Sequence, residues 1–178
     1  MRDNRDAPFM RPKWKKVNEF PITPAIRLLR QHKIDFKPHV FDYVEKGGTR
    51  ASAEILGVDE HVVIKTIVFE TNEKKPLIVL MHGDLQVSTK ELARIIKVKT
   101  ILPVSPEKAN KLTGYLVGGT SPFGVKTKMP IYVEKTILDL SQIFINGGKR
   151  GFLVSLEPKI LREVLRIEEV ELGILATN

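Results

Sequence analysis

The sequence predicts a single α+β domain in which helices cover one mixed, curved and barrel-like β-sheet. Strand-like and helix-like segments interleave along the 178 residues without a regular strand–helix–strand repeat, which argues against a doubly wound parallel sheet. A chain of this length is near the usual size of one domain with its own hydrophobic core. The apolar run PLIVLM within residues 76–83 is bounded by turn residues, as expected for a central strand buried on both faces.

Five segments combine a capping residue with apolar side chains at helical spacing, and we predict a helix for each. Thr23 precedes a proline, Ser88 and Glu91 have the spacing of a capping box, and glycines follow two of the segments. With their caps, the predicted helices occupy 23–33, 49–57, 88–96, 105–114 and 157–165. Segments rich in β-branched and aromatic residues predict strands at 36–44, 62–70, 76–83, 115–119, 129–134, 143–147 and 151–155.

The chain carries a net charge of +8, which favours a polyanionic partner such as nucleic acid, although a lysine-rich surface kept for solubility would have the same composition. Residues 1–20 contain six basic and three acidic side chains and little periodicity. We therefore predict a basic N-terminal arm over 1–21 and a folded domain over 22–178. The arm is either disordered or packed onto the domain through Trp14.

The composition of the chain and the motifs that it lacks exclude several classes of function. The chain has no cysteine, which rules out disulfides, thiolate metal sites and a cysteine nucleophile. No apolar run approaches the length of a membrane span and no secretory signal is present, so we expect a cytoplasmic protein. The histidines lack a metal-ligand spacing, and Ser121 fails the pattern of a nucleophile elbow. We predict no metal and no cofactor.

Lys65 interrupts an apolar strand face. In VVIKTIVF, residues 62–69, strand alternation places it between Val63 and Ile67 on the same face. Burial of an ammonium without a partner costs several kcal/mol. This lysine therefore reaches solvent, protects an edge strand, or lines a cavity that receives an anionic or carbonyl ligand, and the sequence leaves these alternatives open.

Two glycine-rich segments follow apolar strands. GGTSPFG, residues 118–124, and INGGKRG, residues 145–151, each contain a glycine pair, where backbone N–H groups can approach a ligand or form an anion-binding nest. Tight turns or bulges would have the same sequence. Lys149 and Arg150 adjoin the second pair, and a guanidinium beside open backbone suits a phosphate or a terminal ribose, as well as an ordinary exposed basic turn.

Four segments occur in a specific order: TPAIRLLRQHKIDF leading to HVFDY, then VIKTIVF, TGYLVGGTSPFG and NGGKRG. In this order and spacing they resemble the YbaK-like aminoacyl-tRNA deacylases, which are relatives of the editing insertion found in many bacterial prolyl-tRNA synthetases. The resemblance extends from about Thr23 to Leu165. Each segment alone is a weak signal, but the four together are specific.

The resemblance implies trans-editing hydrolysis of the ester that joins a wrong amino acid, such as Cys, Ala or another small residue, to the terminal adenosine of a tRNA, usually tRNA(Pro). It implies that Lys65 is catalytic, near the scissile ester or the terminal phosphates, and that the loop 118–122 shapes the amino-acid pocket. The implied partners are the aminoacylated 3′ end of tRNA and, as a further candidate, prolyl-tRNA synthetase. The predicted substrate-binding residues are Phe41, Tyr43, Thr66, Gly118, Gly119, Thr120, Ser121, Pro122, Asn146, Gly147, Gly148, Lys149 and Arg150.

Such a site needs no carboxylate, because an ester is already reactive and a pocket can act by positioning it and by donating N–H groups to the developing oxyanion. Three positions depart from the Cys-acting members. Phe41 replaces a tyrosine, Asn146 replaces a serine and Leu153 replaces an aspartate, which changes the hydrogen-bonding groups of the pocket. The sequence therefore leaves open which amino acid is removed.

Two other functions are compatible with the same residues. A non-catalytic tRNA-binding or synthetase-associated module on this fold would bind tRNA in a salt-sensitive manner without turnover. A small-molecule esterase would hydrolyse simple esters independently of RNA. The oligomeric state is open at this stage.

Overall fold

The computed structural model describes residues 19–176, which form five α-helices and ten strands. The helices are α1 (Pro24–Gln31), α2 (Gly48–Leu56), α3 (Thr89–Ile96), α4 (Pro106–Thr113) and α5 (Ile160–Val164). The strands are β1 (Lys37–Val40), β2 (Val63–Thr71), β3 (Pro76–His82), β4 (Leu85–Val87), β5 (Ile101–Pro103), β6 (Ile131–Glu134), β7 (Ile143–Lys149), β8 (Phe152–Leu156), β9 (Ile167–Val170) and β10 (Gly173–Leu175). Two 3₁₀ turns cover Glu60–Val62 and Lys135–Asp139.

One mixed sheet contains eight of the strands in the order β1-β8-β7-β2-β3-β6-β9, with β5 paired to part of β2. The β2/β7, β3/β6 and β6/β9 pairs are parallel, and the other pairs of this sheet are antiparallel. β4 and β10 form a separate antiparallel pair. The mixed sheet and the α+β class are as predicted. Within the described chain the strands of this sheet pair in an open order from β1 to β9.

The helices cover both faces of the sheet. Buried side chains of α1, α4 and α5 join a cluster that includes Ile78 and Leu80 of β3. On the opposite face α3 packs over Leu77 and Val79, and α2 packs over Val63 and the neighbouring strands. The apolar face of each amphipathic helix is thereby removed from water, which is the main stabilisation available to such short helices.

Three of the predicted helix starts and two of the predicted helix ends are confirmed with their caps. The start predicted at Glu157 is wrong, because α5 begins at Ile160 after a turn and has no side-chain cap. The side chains of Thr23, Ser88 and Ser105 each accept a hydrogen bond from a backbone N–H in the first turn of their helix. Gly57 and Gly114 end α2 and α4 with a left-handed backbone, which a residue without a Cβ adopts at low cost. Local chemistry was sufficient to place these helix ends.

The predicted strand at 115–119 is wrong. After α4 the chain turns instead of extending, and the Gly119 N–H donates to the Leu116 carbonyl at 2.8 Å. The hydroxyl of Tyr115 donates to the Phe123 carbonyl at 2.7 Å, which folds the segment back on itself. The apolar residues that suggested a strand form a loop because this hydrogen bond and the glycines favour a compact turn.

Other strand predictions differ in extent. β1 ends at Val40 although the predicted strand continued to residue 44, because residues 41–44 leave the sheet to reach α2. The short strands β4, β5, β9 and β10 were not predicted, and all four have only three or four residues. Strands this short form where a neighbouring edge is available, which local sequence does not reveal.

Most of the predicted arm, including Trp14, lies outside the described residues. Of its last residues, Phe20 packs edge-on against Phe36, with ring centroids 6.0 Å apart, and stacks on Phe152 at 5.9 Å. The boundary at residue 21 stays a prediction. Within residues 19–176, no helix has the length and apolar character needed to span a membrane.

Candidate active site

One edge of β2 is paired along nearly its whole length, whereas the other edge is paired only near its two ends. On that edge β3 pairs with residues 64–70. On the other edge β7 pairs with Val63 and Ile64, and β5 pairs with residues 69–71. Among the described strands none therefore pairs with residues 65–68 on this second edge, and the sheet splits there.

Thr66 lies at the middle of this split. Val68, two residues on, accepts a hydrogen bond from Val104 N at 3.2 Å across the split edge, so strand alternation directs the N–H and C=O of Thr66 to the same side. The Thr66 side-chain hydroxyl is buried and has no hydrogen-bond partner among the described residues. Buried polar groups are rarely left unpaired, so Thr66 offers hydrogen-bonding capacity to a ligand.

A cavity of about 480 Å³ opens at the split. One wall consists of α2 and the segment before it, and another consists of the loop after α4. The base is formed by β2 between its two partial neighbours. Side chains or backbone of the following residues line the cavity: Phe41, Tyr43, Val44, Gly48, Thr49, Ala51, Ser52, Ile55, Val63, Ile64, Lys65, Thr66, Ile67, Val68, Gly83, Pro103, Val104, Pro106, Ala109, Val117, Gly118, Thr120, Asn146, Gly151 and Leu153.

Lys65 lines the cavity from an otherwise apolar face, as its alternation with Val63 and Ile67 predicted. Its side chain is half-buried, and the ammonium donates a hydrogen bond to the Leu85 carbonyl. Burial lowers the pKa of Lys65, and the negative charges of Glu60 and Asp84 act in the opposite direction. Of the three alternatives left by the sequence, the geometry matches a lysine that faces a cavity.

The two glycine-rich turns meet beside this cavity. The side-chain amide of Asn146 donates to the Gly118 carbonyl at 3.1 Å, and the Arg150 Nε donates to the Val117 carbonyl at 2.9 Å. The side-chain oxygen of Asn146, Oδ1, also accepts from the N–H groups of Gly148 at 2.7 Å and Lys149 at 3.2 Å. Asn146 therefore shapes the second turn and ties it to the first, so that both form one wall.

Close packing explains two of the glycines. Gly118 has a φ of +89°, and a Cβ there would lie 2.6 Å from the Tyr43 hydroxyl oxygen. A Cβ at Gly119 would lie 2.7 Å from the backbone nitrogen of Arg150. Any side chain at these positions would push the two turns or Tyr43 apart.

Tyr43 and Arg150 form the rim of the cavity. The Arg150 guanidinium carbon lies 5.2 Å from the centre of the Tyr43 ring, within the range of a cation–π contact. The Tyr43 side chain is 40% exposed, which leaves aromatic surface accessible at the mouth. Stacked aromatic and guanidinium groups of this kind are common where proteins contact unpaired nucleotides.

The structure brings together about half of the predicted site residues. Phe41, Tyr43, Lys65, Thr66, Gly118, Thr120 and Asn146 line the cavity. The remaining predicted residues do not line it and lie behind its wall or at its rim: Gly119, Ser121, Pro122, Gly147, Gly148, Lys149 and Arg150. Ser121 is fully buried and its hydroxyl accepts a bond from the Phe123 N–H at 3.3 Å, so this side chain supports the loop.

Sequence reasoning missed two parts of the site. The first is the aliphatic wall from α2, where Ala51 and Ile55 face the cavity. Their helical spacing indicates one helix face but not what that face covers. The second is a pair of carboxylates near Lys65, from Glu60 and Asp84, which come together only through the 3₁₀ turn and the end of β3.

The chain is similar to known proteins over most of its length. A family model for the aminoacyl-tRNA editing domain matches residues 46–164. A protein of Enterococcus faecalis, provisionally named Cys-tRNA(Pro)/Cys-tRNA(Cys) deacylase EbsC, is 31% identical over 140 residues, which cover 78% of this chain and 85% of that protein. Residues 46–164, the range of the family model, include the split strand, Lys65 and both glycine turns.

Two further matches concern proteins connected with proline. The proline–tRNA ligase of Brachyspira hyodysenteriae is 29% identical over 86 residues, which cover 48% of this chain but only 15% of the ligase. A crystal structure of a protein provisionally described as a trans-editing enzyme for prolyl tRNA synthetase superposes with a TM-score of 0.74 at 20% identity. The superposition covers 86% of this chain and 99% of that one, and at this identity it shows a shared fold.

Proposed function

This chain belongs to the aminoacyl-tRNA editing domain family, and on that premise we propose that it is a trans-editing deacylase of mischarged tRNA. Water adds to the carbonyl carbon of the aminoacyl ester, and the bond from this carbon to the ribose oxygen breaks. The ribose oxygen takes up a proton, and the amino acid leaves as its carboxylate. The observation that carries the proposal is the half-buried ammonium of Lys65 beside a cavity that contains an unpaired hydroxyl.

Lys65 and Thr66 supply the groups that this reaction needs. As the ester carbon becomes tetrahedral its oxygen gains negative charge, which an ammonium in a water-poor cavity stabilises more strongly than bulk water does. The Thr66 N–H, at the split edge of β2, is a hydrogen-bond donor for the same oxygen. The Thr66 side chain lies on the opposite face of the strand from Lys65, so its hydroxyl is a donor for a neighbouring part of the substrate such as the ribose. The terminal phosphate is an alternative partner for Lys65, and both contacts require its charged form.

The cavity walls favour a small amino acid. Phe41, Ile55, Val63 and Leu153 present apolar surface, and the wall formed by the glycine turns is mostly backbone. An apolar pocket rejects larger side chains sterically but separates alanine from cysteine or serine only weakly. We therefore propose that Cys, Ala or a residue of similar size is removed, and that bulky residues are not.

We propose tRNA(Pro) as the nucleic-acid partner and the cytoplasm, where tRNA is charged, as the place of action. Two kinds of relative support this choice, since the Enterococcus faecalis protein is named for Cys-tRNA(Pro) and Cys-tRNA(Cys), and the ligase is named for proline. Prolyl-tRNA synthetase is the candidate protein partner. The net charge of +8 suits contact with tRNA phosphates.

The test is release of amino acid from tRNA(Pro) charged with Cys, Ala, Ser or Pro, compared between the wild type and Lys65→Met. Methionine keeps much of the length of the lysine stem and removes the charge. We expect at least a roughly 100-fold loss of kcat/KM, because the positive charge beside the reacting oxygen is lost. Lys90→Met, at an exposed position of α3, is the matched control and should keep the wild-type rate.

Circular dichroism and the melting temperature of both variants should remain near those of the wild type. Equal hydrolysis by Lys65→Met and the wild type would remove Lys65 from the mechanism. Salt-sensitive tRNA binding with no turnover on any charged tRNA would instead favour the non-catalytic tRNA-binding module.

A further inference from the structure

Two carboxylates lie at the turn between β3 and β4, to which Lys65 is bonded, and both are engaged with other side chains. The Lys65 ammonium donates to the carbonyl of Leu85, the residue after Asp84, and the Thr49 hydroxyl is bonded both to Glu60 and to the Gly83 carbonyl at 3.3 Å. The Thr49 hydroxyl donates to Glu60 Oε1 at 2.7 Å. The His61 Nδ1 lies 2.8 Å from Asp84 Oδ1 and 3.0 Å from Oδ2. Among residues 19–176 no carboxylate forms an ion pair with Lys65, whose ammonium donates to the Leu85 carbonyl instead.

This arrangement favours the charged form of Lys65 and leaves its ammonium available to a ligand. The two negative charges favour the ammonium over the neutral amine and so oppose the effect of burial on the pKa of Lys65. An ammonium has three N–H donors, and one of them is used by the Leu85 carbonyl. A carboxylate without another partner could instead approach the ammonium and take up its remaining donors.

His82 fixes the side of this arrangement that contains Asp84. Its ring is fully buried and stacks on the His61 ring, with centroids 3.7 Å apart and an angle of 9°. The His82 Nδ1 is 2.7 Å from the His61 carbonyl oxygen, which can only accept, so Nδ1 carries the proton. The Nε2 atom then accepts from the Thr136 hydroxyl at 2.7 Å.

His82 therefore holds both the backbone and the ring of His61, and the His61 ring is in turn hydrogen-bonded to the Asp84 carboxylate. Burial lowers the pKa of His82, in keeping with a neutral ring that needs its Nε2 lone pair for Thr136. Within the described residues, no three His, Asp or Glu side chains are placed to hold a metal ion together.

We propose that Glu60 and Asp84 are positioning residues that keep the Lys65 ammonium charged and directed into the cavity, and that His61, stacked on His82, restrains Asp84 from pairing with it. Among the described residues, the charges that act on Lys65 are those of Glu60, from the 3₁₀ turn at 60–62, and Asp84, from the turn after β3. His61 adjoins Asp84, and His82 of β3 adjoins His61. The kinetic consequence rests on the proposed deacylase function. The effect on Lys65 itself does not.

The first experiment follows Lys65 directly, without substrate. The proton titration of Lys65 is measured by NMR of isotope-labelled lysine Cε, and its signal is assigned by its loss in Lys65→Met. In Asp84→Asn and in Glu60→Gln we expect the Lys65 midpoint to move to lower pH, because a negative charge near the ammonium is removed. Glu73→Gln, which removes an exposed carboxylate at the β2–β3 turn, should leave the midpoint unchanged.

His61→Phe provides the decisive comparison. The phenyl ring can keep the stack on His82 but cannot hydrogen-bond Asp84. The freed carboxylate then approaches Lys65, and the midpoint should move to higher pH, opposite to the shift in Asp84→Asn. A general loss of structure would not produce opposite shifts in the two variants. Unchanged midpoints, or shifts in the same direction, would overturn the proposal.

The second experiment measures deacylation as a function of pH. If the ammonium is the active form, the alkaline limb of kcat/KM should move to lower pH in Asp84→Asn, with a loss of about tenfold above the new limb. In His61→Phe the main effect should be an increase in KM, because Asp84 competes with substrate for the ammonium. Movement of the acidic limb in place of the alkaline limb would contradict a role for the charged form.

The two experiments separate this proposal from the proposed function. If the NMR midpoints shift as expected but no charged tRNA is hydrolysed, the deacylase proposal fails and the positioning of Lys65 stands. If the wild type hydrolyses charged tRNA but the midpoints do not shift, the positioning proposal fails alone.

Discussion

The neighbouring strands β2 and β3 have similar apolar sequences but different surroundings. β3 is paired with β2 on one edge and β6 on the other, and its residues 77–82 are all buried. No described strand pairs with residues 65–68 of β2 on one edge, where Lys65 and Thr66 are half-buried beside the cavity. The two strands are in register, with Lys65 opposite Met81 and Thr66 opposite Leu80.

This difference in pairing and burial indicates that β3 serves mainly stability, whereas the neighbouring strand β2 also carries the groups proposed for function. β3 contributes to the apolar clusters on both faces of the sheet and carries no exposed polar group between residues 77 and 82. β2 lacks a strand partner on one edge over part of its length, and the backbone hydrogen-bonding groups of that part face the cavity. A gap in a well-packed sheet can therefore hold polar groups in place, because the rigid neighbour positions them.

The largest expected effect on folding comes from β3. Leu77 is 2% exposed, so Leu77→Ala should lower the free energy of unfolding by about 3 kcal/mol through lost burial and a residual cavity. Urea denaturation gives this value. The deacylation rate per folded molecule should stay near that of the wild type, and a large loss of that rate without a loss of stability would contradict the separation of the two strands.

The wall of the cavity should respond to Gly118→Ala. The new methyl group would press against Tyr43, and we expect a loss of roughly tenfold in kcat/KM from the displaced rim, similar to other small misplacements in active sites. Gly57→Ala is the matched control, since Gly57 also has a positive φ but open space around the added methyl.

Both glycine variants should lose about 1 kcal/mol of stability from the strained backbone, measured by thermal unfolding. Only Gly118→Ala should lose activity. Equal rates in the two variants would show that contact with Tyr43 does not shape the site.

The smallest effect is expected at the split of β2. Thr66→Val replaces the unpaired hydroxyl with a methyl group of the same shape, and we expect the free energy of unfolding to rise by about 1 kcal/mol. Deacylation should fall about fivefold, as expected for the loss of one hydrogen bond to a ligand.

Thr113→Val is the control for this change. The Thr113 hydroxyl donates to the Ala109 carbonyl at 2.8 Å and accepts from Tyr115 N at 3.1 Å, so its removal should lower stability. If Thr66→Val destabilises the protein as much as Thr113→Val does, the Thr66 hydroxyl has a structural partner and is not reserved for a ligand.

Several elements followed from sequence with clear physical reasons. The helices that begin at Thr23, Ser88 and Ser105 were correctly placed, because a side-chain cap acts on backbone groups within three residues. The central strand at 76–83 was predicted from its continuous apolar run bounded by turn residues, which suits a strand covered on both faces. Lys65 was identified because strand alternation placed a charge on an apolar face.

The errors and omissions concern non-local contacts. The segment 115–119 has strand-like residues, but its backbone bonds to itself and to the loop that follows. The parallel pairing of β2 with β7 joins residues about 80 positions apart. The local pattern of apolar and polar residues does not indicate where such a pairing ends. The cavity opens at this point of β2 because the pairing with β7 ends at Ile64.

The sequence by itself determined the fold class, most of the helix caps and the lysine on which the proposed chemistry depends, because each of these follows from residue types at short spacing. It also determined the family, through the order of four short segments along the chain. Only the tertiary structure decided where the sheet splits and which residues pack against Gly118 and Gly119. It also decided that Glu60 and Asp84 lie near Lys65 while they are bonded to other side chains. Those features depend on distances between segments far apart in the chain, and such distances are set by packing of the whole domain.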